Sequence, residues 1–274
     1  MKYKKKGIIG ISSFVHDSAS CLIDNDGHII FASAEERFSN IKSVSHIPFF
    51  TINKCIKIAK EKKIEVENLV IAYDPKLFFD SAFDNLVKDI LKNEKKRKKF
   101  IEFLKKDTHQ KFFNKLFNYK FIDNYFAKNK IFLSFKEKEK IYDLLTFYFN
   151  SFIKYKKVSL IIKQSFPKLK ISFIRHHLAH AVSAYFNSGY KKSNILVMDG
   201  KGENDTITVF KADKNKISEI TKTSWPISLG YFYQLVTFTL NYKIGDEFKV
   251  MGMSAYGKNT YLKYFEKCFM LNKN

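Results

Sequence analysis

Two histidines in the segment RHHLAHA (residues 175–181) carry the strongest chemical signal in the chain. Positions i and i+4 of a helix share one face, so His176 and His180 are spaced to hold one metal ion. His177 and His180 form the competing pair. Asp199, at the end of the next apolar segment, offers a third ligand. Two imidazoles and one carboxylate suit either iron or zinc and leave positions open for oxygen ligands. The alternative is a helix with ordinary surface or core histidines.

A glycine loop directly follows Asp199. Gly200 and Gly202 fit a turn whose backbone N–H groups bind phosphate, because the loop leaves the end of a predicted buried strand. Glu203 and Asn204 are candidates to orient a nucleotide oxygen or a water molecule. The alternative is a tight turn in which the glycines are needed for positive φ angles.

The elements that would position these residues occur twice along the chain. GIIGIS (7–12) predicts a buried strand, and a polar loop, a strand, a tight turn and a third strand follow. The same order returns from ILVMDG (195–200), so that Gly7 aligns with Ile195 and Asp17 with Asp205. This repeat suggests a duplicated α/β domain in which each first hairpin turns beside a phosphate site. Two unrelated hairpins are the alternative.

The remaining segments predict mainly helices. Patterns along the chain indicate an amphipathic helix at 49–63, a short strand at 69–73, a helical insertion at 75–166, a strand at 170–175, a helix at 228–242, a glycine-bearing loop at 245–258 and a short C-terminal helix. The aromatic stripe of the insertion is interpreted as core.

Six blocks of the chain, in order, resemble the successive signatures of the NodU/CmcH family of O-carbamoyltransferases. They are HDSA (16–19), AEERFSNIK (34–42), HHLAHA (176–181), MDGKGE (198–203), SLGYFYQLVT (228–237) and GDEFKVMGMSAYGK (245–258). The resemblance implies a duplicated domain of the actin/hexokinase/Hsp70-like (ASKHA) type. Residues 1–74 and 167–193 would form its first half, 75–166 a helical insertion, and 194–274 the start of an incomplete second half.

The resemblance also implies an activity. Enzymes of this family transfer a carbamoyl group from carbamoyl-adenylate, made from carbamoyl phosphate and ATP, to a hydroxyl of a sugar-like or secondary-metabolite acceptor. The family's metal, Fe²⁺ or Zn²⁺ here, would be held by His176, His180 and Asp199. The loop of Gly200 and Gly202 is similar to the phosphate loop of actin-like folds.

Further site residues follow from the family's motifs. The acceptor hydroxyl must lose a proton, and His16 is the candidate base, with Asp17 as its orienting partner or substitute. A turn hydrogen bond within this pair is the alternative. Donor-binding candidates are Arg37, Lys42, Gly200, Gly202, Glu203, Asn204, Lys249 and Gly252.

The chain departs from the family pattern at a few positions. Asn40 stands where relatives usually carry Arg, Ser43 and Val44 replace a His-Asp-like stretch, and Ser254-Ala255 replaces Ala-Pro. These changes bear on the identity of the acceptor. Relatives are also longer and add a YrdC-like domain, so we expect a fragment, a decayed copy, or a split enzyme whose second chain supplies the rest.

Composition and charge narrow the range of possible functions and locations. The formal charge of +22 comes from 49 basic residues, of which only Arg37, Arg97 and Arg175 are arginines. The lysines are spread along the chain, which favours solvated helix faces over a nucleic-acid groove. Three widely spaced cysteines and the lack of a long apolar run predict a cytoplasmic protein with reduced thiols and no membrane span.

Two rival functions remain open. The tRNA threonylcarbamoyltransferases share the actin-like core and an HxxxH metal site, and the positive charge would suit tRNA. Against this rival, EERFSNIK and GDEFKVMG match the O-carbamoyltransferase pattern. The other rival is a non-catalytic, truncated module that binds only a nucleotide or a partner chain.

Overall fold

The computed structural model describes residues 5–13, 17–74, 160–243 and 245–268, and scattered positions between 77 and 141. Strands and helices alternate in a mixed α/β arrangement. In chain order they are β1 (Lys5–Ser12), β2 (Ala19–Asp24), β3 (Ile29–Ala34), α1 (Glu36–Ser39), α2 (Phe49–Glu61), β4 (Ile64–Ile71), β5 (Lys170–Phe173), α3 (His176–Ser188), β6 (Lys192–Met198), β7 (Asp205–Asp213), β8 (Lys216–Ser224), α4 (Leu229–Thr239), α5 (Glu247–Ser254) and α6 (Leu262–Cys268).

A five-stranded mixed sheet has the order β3-β2-β1-β4-β5. The central strand β1 runs antiparallel to β2 and parallel to β4, and β4 runs parallel to β5. Its residue Ile9 pairs with Leu22 on one side and Leu69 on the other, and all three side chains are fully buried. The predicted buried strand is buried on one face only, because Ile9 and Ile11 lie in the core and Ile8 is 46% exposed.

Helix α2 covers this sheet with an apolar face. Ile52, Cys55 and Ala59 lie at helical spacing and are buried against the strands. The fully buried Glu35 caps the first turn, because its carboxylate accepts the backbone N–H groups of Phe50 and Thr51, each at 2.9 Å. The cap fixes the start of α2 beside the end of β3.

The second sheet is an antiparallel meander of β6, β7 and β8. Helix α3 packs on it through Ala181 and Tyr185, which contact the cluster of Ile195, Val197 and Phe210. Since α3 follows β5 directly, it joins the two sheets. The histidine motif therefore lies where the sheets meet.

Several predictions are confirmed. Both strand–loop–strand–turn–strand copies form, and helices occur near 49–63, 228–242 and the C-terminal end of the described chain. The short strand predicted at 69–73 is longer and begins at Ile64. The third strand ends at Ala34, and the residues Glu36–Ser39 that follow form helix α1.

The prediction of a loop at 245–258 is wrong, because Glu247–Ser254 forms helix α5. Glu, Lys and Met are good helix formers, and they outweigh the single interior glycine, Gly252. The insertion at 75–166 lies mostly outside the described residues, and the division of the chain into halves stays a prediction. In the part of the chain that the structure describes, we find no helix with the length and apolarity that crossing a bilayer requires.

Candidate metal centre

His176, His180 and Asp199 converge at the junction of the two sheets. His176 Nε2 lies 2.9 Å from Asp199 Oδ2 and 3.0 Å from His180 Nε2, and the His180–Asp199 separation is 3.8 Å. Each residue contributes one ligand atom, and these atoms lie within 4.8 Å of one another. The set that the sequence predicted is thus brought together, at separations that would allow one metal ion to be held.

Local structure explains this convergence. His176 opens helix α3 and His180 stands one turn later, so both imidazoles face the same side. Asp199 follows β6 directly, and its backbone N–H donates to Thr206 O at 2.9 Å. Asp199 Oδ1 accepts the N–H of Gly200 at 2.6 Å, which leaves Oδ2 to face the histidines.

The imidazole of His176 is oriented by the chain segment after β4. Its Nδ1 lies 3.2 Å from the carbonyl oxygen of Ala72. A carbonyl can only accept, so Nδ1 donates to it, and this contact directs Nε2 at Asp199. Release of the proton that Nε2 shares with Asp199 would leave the two imidazoles and the carboxylate with lone pairs that could bind one cation.

The contacts within the cluster shift the pKa values of its three residues. Burial alone would lower the pKa of His176, but hydrogen bonds with Asp199 and the Ala72 carbonyl outweigh it and raise that pKa. Burial and the neighbouring His176 lower the pKa of His180. The hydrogen bond from His176 helps to lower the pKa of Asp199 to about 2. At neutral pH Asp199 is therefore an ionised carboxylate, and His176 lies between it and His180.

His177 turns away from the cluster. Its side chain is 1% exposed, and Nδ1 lies 2.7 Å from Thr208 Oγ1 inside the second sheet. Burial lowers its pKa, so the neutral form is favoured. The competing pair of His177 and His180 is not formed, because the helix directs His177 into the core.

The glycine loop is already engaged within the protein. The N–H of Gly200 donates to Asp199 Oδ1, and that of Gly202 donates to Asp205 O at 2.9 Å. Neither glycine has a positive φ, so the alternative based on turn geometry is wrong. A Cβ on Gly202 would lie 3.0 Å from His177 Cδ2, so glycine allows this close packing. The phosphate-binding role stays a prediction.

Glu203 and Asn204 lie buried behind the cluster, at 3% and 7% exposure. Glu203 Oε1 accepts the backbone N–H groups of Asp74 at 2.7 Å and His176 at 2.9 Å. Asn204 Oδ1 has no hydrogen-bond partner among the described residues. Both residues are adjacent to the site, but Glu203 is bound to backbone on two other segments.

Four of the other predicted residues, all of them described, are not drawn into the cluster. Arg37 is exposed and pairs with Glu36, Lys42 is exposed, and Lys249 pairs with Asp246. Gly252 lies on the open surface of α5. No hydrogen bond or ion pair between described side chains joins these residues to His176, His180 or Asp199. Asp17 is exposed with φ 49°, and His16 lies outside the described residues.

Two supporting features were missed in the sequence. Arg175, immediately before the histidines, pairs through Nη2 with Asp205 at 2.6 Å and through Nη1 with Glu219 at 2.7 Å. This fork ties the start of α3 to β7 and β8. Its signal was the scarcity of arginine in a lysine-rich chain.

The second missed feature is Gly230, at the start of α4. A Cβ there would lie 2.6 Å from Gly200 Cα and 2.7 Å from Gly200 N. Ser228 caps the helix by accepting the N–H of Tyr231, and it donates its hydroxyl to Gly200 O at 2.7 Å. The block SLGYFY therefore seats α4 on the loop that follows Asp199.

Comparison with known proteins gives one match to a family model. The model described as carbamoyltransferase N-terminus matches residues 7–270. That range contains both sheets and the His–Asp cluster.

Individual relatives agree with the family match. An uncharacterised protein of Synechocystis sp. (sll1178) is 27% identical over 265 residues, covering 93% of this chain and 35% of the relative. The nodulation protein NolNO of Sinorhizobium fredii is 26% identical over 246 residues, covering 90% and 28%. The uncharacterised MJ1058 of Methanocaldococcus jannaschii is 28% identical over 295 residues, covering 97% and 45%. The chain thus spans less than half the length of each of these relatives.

Proposed function

Because the chain belongs to the carbamoyltransferase N-terminus family, we propose that it is the metal-binding part of an enzyme that carbamoylates a hydroxyl. The donor is carbamoyl-adenylate, formed from carbamoyl phosphate and ATP, and the acceptor is a sugar-like or secondary-metabolite molecule. The family supports carbamoyl transfer in general, and the single observation that carries the finer proposal is the convergence of His176, His180 and Asp199.

The cluster fits a divalent metal by its donor set. Two imidazole nitrogens and a carboxylate oxygen suit Fe²⁺ or Zn²⁺, and three protein ligands leave coordination positions open. His180 has a side-chain exposure of 53%, so the open side faces solvent and gives a substrate access. When bound, the metal supplies Lewis-acid polarisation of donor or nucleotide oxygens.

Residues of this chain would supply binding and proton transfer. Within the proposal, His16 accepts the proton of the attacking hydroxyl, and Asp17 orients or replaces it. The candidate contacts to the carbamoyl donor are Gly200, Gly202, Asn204, Arg37, Lys42, Lys249 and Gly252. Several of these lie apart from the cluster, so a complete donor site would need contacts from the rest of the enzyme.

The ASKHA fold belongs to the same proposal. It is supported by two meanders, β1-β2-β3 and β6-β7-β8, that repeat one strand order within the chain. In this arrangement the rest of a family member, whether in the same polypeptide or a second chain, supplies the remaining half and a YrdC-like domain. A cytoplasmic location is part of the proposal.

Elemental analysis of the purified chain tests the metal, with His176→Ala and His180→Ala alongside. We expect iron or zinc near one per chain, lost in both variants. A folded chain without metal would show that the three converging residues do not bind a metal in this chain, and it would favour the binding-module alternative.

Carbamoyl transfer is tested by supplying carbamoyl phosphate, ATP and a panel of hydroxyl acceptors to the metal-loaded chain together with the rest of the enzyme. Mass spectrometry would detect a carbamate on one acceptor, absent with His180→Ala. If tRNA instead binds tightly and with steep salt dependence, the tRNA-directed alternative replaces this proposal.

A further inference from the structure

We infer that Glu203 is a positioning residue of the metal centre, which holds His176 in its metal-binding orientation by clamping two chain segments together. This inference rests on the proposed metal site. It differs from the expectation that Glu203 orients a nucleotide oxygen, because Oε1 of this side chain already accepts two backbone N–H groups.

The clamp joins segments that are distant in sequence. One N–H belongs to Asp74, in the segment that leaves β4, and the other belongs to His176, the first residue of α3. Glu203 itself belongs to the loop between β6 and β7. A single carboxylate oxygen therefore ties three parts of the chain at the point where the two sheets meet.

The environment makes these bonds strong. Glu203 is 3% exposed, so solvent competes little for its oxygens. The N–H of His176 is one of those at a helix start that have no partner inside the helix, and a negative charge there is favoured by the helix dipole. An anion in this position stabilises the start of α3, which carries the predicted ligand His176.

Glu203 fixes the ring of His176 along two routes. It holds the residue's own backbone, and it holds the Asp74 segment, whose nearby Ala72 carbonyl accepts the hydrogen of His176 Nδ1. That acceptor sets the tautomer and leaves Nε2 facing Asp199 Oδ2 at 2.9 Å. Without the clamp, both the helix start and the tautomer-setting carbonyl would be less constrained.

The chain contains a matched control in Glu35. Its carboxylate is fully buried and accepts the backbone N–H groups of Phe50 and Thr51 at the start of α2. Glu35 thus makes the same kind of helix-start contacts, but on a helix that carries none of the predicted ligands. Replacing either glutamate disturbs one capped helix, and only Glu203 is tied to His176.

The experiment measures Zn²⁺ affinity by calorimetry on the full chain, comparing wild type, Glu203→Ala and Glu35→Ala, which each remove both carboxylate oxygens. Circular dichroism confirms that each is folded. We expect Glu203→Ala to bind Zn²⁺ about 10–100-fold more weakly, as for other residues that orient metal ligands, and Glu35→Ala to stay within about twofold of wild type. If Glu203→Ala does not fold, Glu203→Asp takes its place with the same expected loss, because its shorter side chain cannot reach both N–H groups.

Two affinity results would overturn the inference. One is a Glu203 variant that binds Zn²⁺ as wild type does. The other is an equal loss in the Glu203 and Glu35 variants, which would trace the effect to general destabilisation.

A metal-independent readout separates this inference from the proposed function. Amide hydrogen exchange of apo protein is expected to quicken at Asp74 and His176 in the Glu203 variant, but not in Glu35→Ala. If wild type fails to bind Zn²⁺, the proposed metal site fails, and faster exchange at those two amides still supports the clamp. Unchanged exchange would overturn the clamp whatever the metal result.

Discussion

His176 Nε2 lies 2.9 Å from Asp199 Oδ2, although one residue opens a helix and the other follows a strand of the second sheet. The contact exists because α3 leaves the first sheet and packs on the second. The Arg175 fork ties the start of α3 to β7 and β8, and the close approach of Gly230 seats α4 on the loop after Asp199.

Replacing His177 and replacing His180 by alanine are expected to have opposite effects on metal binding and stability. His180→Ala should abolish metal binding with little effect on stability, because His180 is exposed. His177→Ala should keep the metal and lower the free energy of unfolding by about 1–3 kcal/mol, since it leaves Thr208 Oγ1 without its partner. Elemental analysis and urea denaturation measure the two effects. Metal loss in the His177 variant alone would reverse our assignment of ligand and core histidine.

Gly230→Ala should destabilise the protein by about 1–3 kcal/mol, because its Cβ would overlap the backbone of Gly200 and force α4 away. Gly252→Ala is the matched control, since nothing lies within 4 Å of its Cβ position on α5. That substitution should be neutral or stabilise by up to about 1 kcal/mol. Thermal or chemical denaturation distinguishes the pair, and equal effects would contradict the close approach.

Arg175→Lys should cost about 1–3 kcal/mol, because lysine cannot reach Asp205 and Glu219 with two separate N–H groups. Asp205 is buried, and its other side-chain partners are Lys222 at 3.2 Å and Ser224 Oγ at 3.4 Å. Arg37→Lys, at an exposed arginine, should change stability by less than about 0.5 kcal/mol. Denaturant titrations of both variants test whether the Arg175 fork stabilises the protein. Equal unfolding midpoints for the two variants would contradict this role.

Asp24 should make stability depend on pH in the acid range. Burial alone would raise its pKa, but hydrogen bonds from the His28 backbone, Lys5 and the Asp26 backbone outweigh it and lower the pKa to about 2. The pKa of an unfolded aspartate is about 3.9. The stability that Asp24 contributes is therefore complete above about pH 4 and is lost as the pH falls towards 2.

The stability difference between wild type and Asp24→Asn should therefore shrink between about pH 4 and pH 2. Denaturant unfolding measured at several pH values checks this. Asp26→Asn, at an exposed neighbour of the same turn, is the control and should show a much smaller change. A difference that stays constant with pH would show that Asp24 is not responsible.

The sequence could predict the convergence of His176, His180 and Asp199 because its signals are local, although spacing alone left His177 and His180 as a competing pair. Spacing in a helix places His176 and His180 on one face, and an aspartate after an apolar strand lies at the end of a sheet. The repeated strand pattern predicted both meanders for the same reason, since alternation and turn residues act over a few positions. Helix α5 was missed because the block 245–258 was interpreted as one glycine-bearing loop, although only Gly252 lies within the helix.

Tertiary structure alone decided what supports the site and which histidine enters the core. His177 and His176 are adjacent in sequence, and only the packing of α3 on β7 directs one to Thr208 and the other to Asp199. Glu203 reaches Asp74 across 129 positions, a contact that no local pattern encodes. The physical reason is that a residue's chemistry depends on which distant groups surround it, and chain folding sets those neighbours.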